Sequence, residues 1–200
     1  MIFVVTGPSG CGKSTLVRRV LQDLEGIRFS VSHTTRPKRD SEIEGKDYYF
    51  VSEVKFKRMA AGKKFVEWAV VHGNLYGTSR KEIEEKGKKR DVLLDIDVQG
   101  AQQIQARFKK GVFIFMLPPR YAVLKKRLQG RGEDRPEVVR QRLKMARKEI
   151  RCYSCFDFIV VNDRLEQAVR ELESIILSAR CRRDVRRAEI RSILKSFKSK

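Results

Sequence analysis

The segment Gly7-Pro8-Ser9-Gly10-Cys11-Gly12-Lys13-Ser14, continued by Thr15, carries the pattern G-x-x-x-x-G-K-[ST]. Each fixed position has a chemical reason. The glycines permit backbone angles that turn successive N–H groups inward onto phosphate oxygens, and a following helix adds the positive end of its dipole. A lysine placed as Lys13 neutralises the β- and γ-phosphates of a nucleoside triphosphate, and a hydroxyl such as that of Ser14 ligates Mg²⁺. The segment names a phosphate donor and says nothing of the acceptor. Cys11, inside it, reads as a small side chain in a tight place. The alternative is a redox-sensitive thiol, since helix amino termini lower thiol pKa.

A second set of chemically apt residues lies between Ser30 and Arg80. Ser32-His33-Thr34-Thr35-Arg36-Pro37-Lys38-Arg39 is followed by Glu42 and by Gly45-Lys46-Asp47-Tyr48-Tyr49-Phe50. Phe65-Val66-Glu67-Trp68 and Gly73-Asn74-Leu75-Tyr76-Gly77-Thr78 come next. Arg36 and Arg39, three apart, can offer two forked guanidinium groups to one dianionic phosphate. On their own they read equally as solvated charges of a basic protein. Farther on, Asp95-Ile96-Asp97-Val98-Gln99-Gly100 ends an apolar run with two carboxylates. Arg127, Arg131 and Arg142 lie in the arginine-rich stretch 125–151.

These residues need a frame. The β-branched run at 2–6 predicts a strand buried on both faces of a parallel sheet. Residues 92–97, 112–117 and 158–161 predict three more. Helical spacing covers 14–24, 99–108, 120–129, 136–150 and 165–179. Strands alternating with helices predict an α/β domain with a mostly parallel sheet. The stretch 30–80 breaks that rhythm with short alternating runs such as Tyr48–Val51 and one helix-like piece at 54–61, which predicts an inserted, largely β lobe. Gly130-Arg131-Gly132, with Asp134 and Pro136 as helix-start signals, predicts a hinge into a mobile arm. Leu165, Val169, Leu172, Ile176 and Ala179 mark an amphipathic helix, and Ile190, Ile193, Leu194 and Phe197 continue an apolar stripe beyond it.

Two hundred residues suit one domain with inserted lobes. A hydrophobic fraction of 41% beside 35% charged residues describes a folded body with a heavily charged exterior. No apolar run approaches the roughly 20 residues of a membrane span, and the amino terminus has no signal-peptide pattern. No membrane partner is expected, and four cysteines without a secretory signal point to the cytoplasm. Cys152 and Cys155 form a C-x-x-C with no further ligands nearby and read as incidental. The net charge of +20 attracts polyanions. From Ser178 to Lys200, nine basic residues face two acids, so this tail carries +7. It is expected to pack on the body or on a second subunit, making a homo-oligomer; nucleic-acid contact is the alternative.

Taken together, the S-x-T-T-R-x-x-R, G-x-x-Y-x-F, F-x-E-W, Y-G-T and D-I-D-x-Q-G segments resemble those of guanylate kinases, in the same order and over essentially the whole chain. The resemblance implies a three-layer P-loop NTPase fold with a central parallel sheet, an inserted mostly-β lobe and a helical lid. Residues 1–31, 81–126 and 151–180 would form the core, 32–80 the GMP lobe, 127–150 the lid and 181–200 the basic tail. It implies γ-phosphoryl transfer from ATP to GMP, with Mg²⁺, in line and without a general base. Gly7, Pro8, Ser9, Gly10, Cys11, Gly12, Lys13, Ser14 and Thr15 would bind ATP, with Asn162 at the adenine. Arg36, Arg39, Tyr48 and Tyr76 would hold the GMP phosphate and Ser32, Glu67 and Thr78 the guanine, with Glu42 and Asp97 also in that site. Ser14 and, through water, Asp95 would hold Mg²⁺. Lys13, Arg39, Arg127, Arg131 and Arg142 would neutralise the transferring group. Guanine presents two adjacent N–H donors that one carboxylate, Glu67, can accept, whereas adenine lacks both. No residue must read the ribose 2′-hydroxyl, so dGMP is an expected acceptor too. The alternatives are a nucleoside monophosphate kinase with another acceptor base, and a non-catalytic interaction module, which the intact Lys13 and Ser14 disfavour.

Overall fold

The computed structural model describes residues 1–86, 90–130 and 136–197. Five parallel strands form the central sheet in the order β2-β7-β1-β8-β9: β1 (Ile2–Thr6), β2 (Ile27–Phe29), β7 (Asp91–Asp95), β8 (Val112–Leu117) and β9 (Phe158–Val161). Their residues alternate between two cores, as the two-residue period of a strand requires. Phe3, Val5, Leu93, Val112, Ile114 and Met116 pack with α1 (Lys13–Asp23) and α7 (Leu165–Arg180). Val4, Val92, Leu94 and Phe113 face the other way, onto Ala101 and Ile104 of α4 (Val98–Arg107) and Ile83 of α3 (Arg80–Lys86). The result is three layers, helix on sheet on helix.

The strands that carry β-branched apolar runs are the ones the sequence predicts. Strand β2 escapes, because it spans three residues at a sheet edge and only Ile27 is buried. The run at 92–97 ends two residues early as a strand. Asp97 leaves the sheet to cap α4, its carboxylate accepting from the N–H groups of Gln99 and Gly100 at 3.1 Å each. An N-terminal carboxylate both satisfies orphan donors and meets the positive end of the helix dipole.

The second sheet, β4-β3-β6-β5, is built from β3 (Ser32–Thr34), β4 (Tyr48–Phe50), β5 (Phe65–Val71) and β6 (Asn74–Ser79). Helix α2 (Glu53–Ala61) covers it through Phe56, whose ring stacks on Phe65 at 4.5 Å. Strand β5 is an edge, and α4 closes it. Gln103 donates to the Trp68 carbonyl at 2.8 Å and accepts from its N–H, while Arg107 donates to the Val66 carbonyl. Side chains of one helix thus supply the missing ladder of the lobe.

Helix α5 (Tyr121–Gln129) and helix α6 (Pro136–Glu149) share a small core of Leu124, Leu128, Val139, Leu143 and Ala146. The apolar stripe read through the tail is broken at Cys181–Arg186. Only α7 packs on the body; helix α8 (Arg187–Ser196) buries none of its residues, and Phe197 is 82% exposed. Among the described residues, no helix is long and apolar enough to cross a membrane.

Two changes separate these roles. Leu172→Ala, at a fully buried site, should cost about 2–5 kcal/mol in urea unfolding. A chain ending at residue 186 should unfold within about 0.5 kcal/mol of the full one, since surface changes rarely exceed that.

Candidate active site

Strand β1 delivers the chain to the phosphate loop at the carboxyl end of the sheet. Gly7 has φ +145°, and a Cβ there would lie 2.3 Å from the Met116 carbonyl oxygen on β8, so only glycine lets the loop run this close to the strand. The Lys13 ammonium folds back over the loop, donating to the Gly7 carbonyl at 2.7 Å and that of Pro8 at 3.4 Å. Burial alone would lower the Lys13 pKa; the surrounding acidic groups, among them the carboxylates of Asp95, Glu149 and Asp97, outweigh that and hold it raised. The lysine therefore stays charged at neutral pH.

Ser14, in the first turn of α1, donates from its hydroxyl to Asp95 at 3.1 Å. Burial raises the Asp95 pKa, opposed by Lys13 and by that hydrogen bond. A hydroxyl and a carboxylate side by side are the hard oxygen donors that Mg²⁺ prefers. Among the described residues no group of three or more His, Cys, Asp or Glu could hold a metal. An ion at Ser14 and Asp95 would complete its shell with phosphate oxygens and water, the usual habit of Mg²⁺.

Behind the loop, Cys11 is fully buried, and burial pushes its thiol pKa up against the pull of Lys13. This removes the argument for a redox-sensitive thiol, which needs a lowered pKa and access. The Cys11 carbonyl accepts from Asn162 and from Arg127. Both residues were expected on nucleotide; here their donors engage backbone oxygens. Arg142 lies on α6, half-buried, and Arg131 lies outside the described residues. Glu149, which the sequence did not single out, ends α6 at the loop: burial raises its pKa, while Lys13 and the Ser9 N–H counter it. An acid closing a helical pattern gives no sequence signal of such a place.

In the lobe, two groups of residues converge. Glu67 on β5 lies directly opposite Thr78 on β6. One carboxylate oxygen accepts from the Thr78 N–H at 2.8 Å and its hydroxyl at 2.6 Å, and Ser32 reaches the same hydroxyl at 3.4 Å. The other oxygen faces Gly100, where a Cβ would come within 2.4 Å of it. A register shift between Phe65 and Glu67 lets Val66 enter the core while Glu67 still turns inward. Burial is the main cause that raises the Glu67 pKa to about 7, with Asp97 adding to it and Thr78 opposing.

The second group is cationic. Arg36 donates to the Tyr76 hydroxyl at 3.2 Å and to Glu42 at 2.5 Å, and its guanidinium stands 5.6 Å from the Tyr48 ring centre. The second Glu42 oxygen accepts from the Arg39 N–H at 2.9 Å, which fixes the backbone between the two arginines. Burial, with Asp95 nearby, pushes the Tyr48 hydroxyl well above its ordinary pKa, so it stays a donor. The structure thus unites Ser32, Glu67 and Thr78 in one cluster, and Arg36, Glu42, Tyr48 and Tyr76 in another.

The sequence matches the family model described as guanylate kinase over residues 1–179. The chain belongs to the guanylate kinase family. It is 48% identical over 183 residues to the guanylate kinase of Geobacter sulfurreducens, covering 91% of this chain and 90% of that one. It is 46% identical over 197 residues to that of Nitrosomonas europaea, covering 98% of each. The crystal structure of guanylate kinase from Anaplasma phagocytophilum superposes with a TM-score of 0.78 at 34% identity, over 92% of this chain and 87% of that one. Membership makes the chain an enzyme of the nucleoside monophosphate kinase class, a transferase on the P-loop fold. A shikimate kinase from Bacteroides thetaiotaomicron, 19% identical with a TM-score of 0.54 over 88% of this chain and 98% of that one, shares the fold alone.

The raised Glu67 pKa has a signed consequence for stability. Between its ordinary 4.5 and about 7 the folded protein binds the proton more tightly than the unfolded chain. Raising pH through that window therefore costs stability, about 3 kcal/mol at the upper limit. In urea unfolding from pH 5 to 8, Glu67→Gln should gain on the parent as pH rises, with most of the gain complete just above pH 7.

Proposed function

We propose that the chain transfers the γ-phosphoryl group of ATP to GMP, and to dGMP, giving ADP and the nucleoside diphosphate. The observation that carries this reading is Glu67, a buried carboxylate with one oxygen saturated by Thr78 and the other turned toward Gly100 and Asp97. A carboxylate oxygen in that position suits the paired N1–H and N2–H₂ donors of guanine. With adenine it would be left buried and unpaired, a mismatch that lowers preference by roughly 10⁴-fold where the site depends on such bonds.

The division of labour follows from the chemistry. The Gly7–Ser14 loop holds the donor phosphates, with Lys13 on the β- and γ-groups. Arg36, Arg39, Tyr48 and Tyr76 hold the acceptor phosphate, kept in register by Glu42. Ser32 and Thr78 orient Glu67. The attacking oxygen is a phosphate oxygen of GMP, already anionic near neutral pH, so no base is required. A bond forms from that oxygen to the γ-phosphorus as the bond to the ADP oxygen breaks, and ADP leaves with the electron pair. The protein's part is alignment and charge neutralisation by Lys13, Arg39 and the arm residues Arg131 and Arg142. Mg²⁺, held by Ser14 and Asp95, would supply further neutralisation of phosphate charge when bound. The four free cysteines support a cytoplasmic setting.

An ADP-release assay with ATP and a panel of GMP, dGMP, AMP, UMP and CMP tests the assignment. GMP and dGMP should turn over and the others should not; comparable rates with AMP would refute the guanine reading. Gly100→Ala should weaken GMP binding by tenfold or more, about 1.4 kcal/mol, because its methyl displaces the Glu67 oxygen. ATP-analogue binding measured by calorimetry should stay as in the parent.

A further inference from the structure

Two side chains from distant parts of the chain converge on one backbone oxygen behind the phosphate loop. Asn162 Nδ2 donates to the Cys11 carbonyl at 2.8 Å, and Arg127 Nη1 donates to the same oxygen at 3.2 Å. Arg127 Nη2 donates to the carbonyl of Asn162 itself at 3.0 Å, closing a triangle. Each corner is fixed from outside. Asn162 is buried, and its N–H donates to the Leu117 carbonyl of β8 at 2.8 Å. Arg127 belongs to the last turn of α5, whose Leu128 lies so close to Gly10 that a Cβ there would come within 2.8 Å of its side chain. Gly12 completes the fit, since a Cβ on it would stand 2.4 Å from Asn162 Nδ2.

In a trans peptide the carbonyl and the following N–H point to opposite sides of the chain. Drawing the Cys11 carbonyl toward Asn162 and Arg127 therefore turns the Gly12 N–H the other way. We infer that Arg127 and Asn162 are positioning residues that lock the Cys11–Gly12 peptide so that its N–H faces the donor phosphates before nucleotide arrives. The inference rests on reading Gly7–Ser14 as the ATP site. It gives Arg127 a task different from direct neutralisation of the transferring group. That task needs the planar fork, which reaches two carbonyls at once, and not merely a positive charge. It also places the start of the arm in contact with the loop, so the seating of α5 and the shape of the cradle are one equilibrium.

Calorimetric binding of β,γ-methylene-ATP to Arg127→Ala, Arg127→Lys, Asn162→Ala, Asn162→Asp and the double alanine variant tests this, beside GMP binding and steady-state kinetics. Each single alanine change should weaken the analogue about tenfold. The double variant should fall well short of the roughly hundredfold product, because both donors serve one oxygen. Arg127→Lys should behave like Arg127→Ala, and Asn162→Asp should be worse than Asn162→Ala, since a carboxylate would face the carbonyl. GMP binding should stay within about twofold of the parent, a split that general misfolding would not produce. Full rescue by Arg127→Lys, strictly multiplicative effects, or a fall in kcat with unchanged analogue affinity would each overturn the inference. Parent enzyme that turned over a different acceptor would overturn the guanine reading alone, since these comparisons concern the donor site.

Discussion

The parallel pairing of β1 with β7 sets the geometry on which the rest depends. Val5 lies beside Asp95 in the register, so the loop that follows β1 and the acids that follow β7 leave the sheet at the same edge. This is the carboxyl end of the strands, where open α/β sheets gather ligands. Lys13, Ser14, Asp95 and Asp97 are brought together by that register although 82 residues and more separate the lysine from the acids. A slip of one residue would turn the strand's side chains to the opposite faces and take Asp95 away from Ser14.

Helix α4 ties the second sheet to this edge. Its first residues are capped by Asp97, its middle closes the open side of β5 through Gln103, and its last turn reaches Val66 through Arg107. Gly100, between these points, clears the space that a Glu67 oxygen occupies. One short helix thus blunts an exposed sheet edge, a recurrent liability, and sets the Glu67 carboxylate against its own first turn.

The frame was legible in the sequence where one period dominated. The three long core strands and the amphipathic helices announced themselves because each buries a continuous face. Strands β5 and β6 did not, since Glu67, Thr78 and Ser79 are buried polar residues that interrupt any apolar alternation. The motif residues were legible by type and spacing, and the structure brings Glu67, Thr78 and Ser32 into one cluster. The places of Arg127, Asn162 and Glu149 were not. Their partners are backbone groups of a distant segment, and a carbonyl oxygen leaves no trace in residue identity. The break before α8 was also hidden, because the apolar stripe runs on while Cys181–Arg186 carry no glycine or proline to mark it.

The strand order β2-β7-β1-β8-β9 has a consequence for how the protein comes into being. Of the five strands of this sheet the central one is made first, yet its neighbours β7 and β8 begin 85 and 106 residues after Thr6. At a synthesis rate of about 5–20 residues per second, Ile2–Thr6 waits on the order of ten seconds as an unpaired apolar segment. Only the edge strand β2 and the helix α1 are made soon after it, and neither pairs with it. The sheet therefore cannot grow outward from its beginning; it condenses late, when β7 and β8 close on both sides of a strand that has been waiting for them.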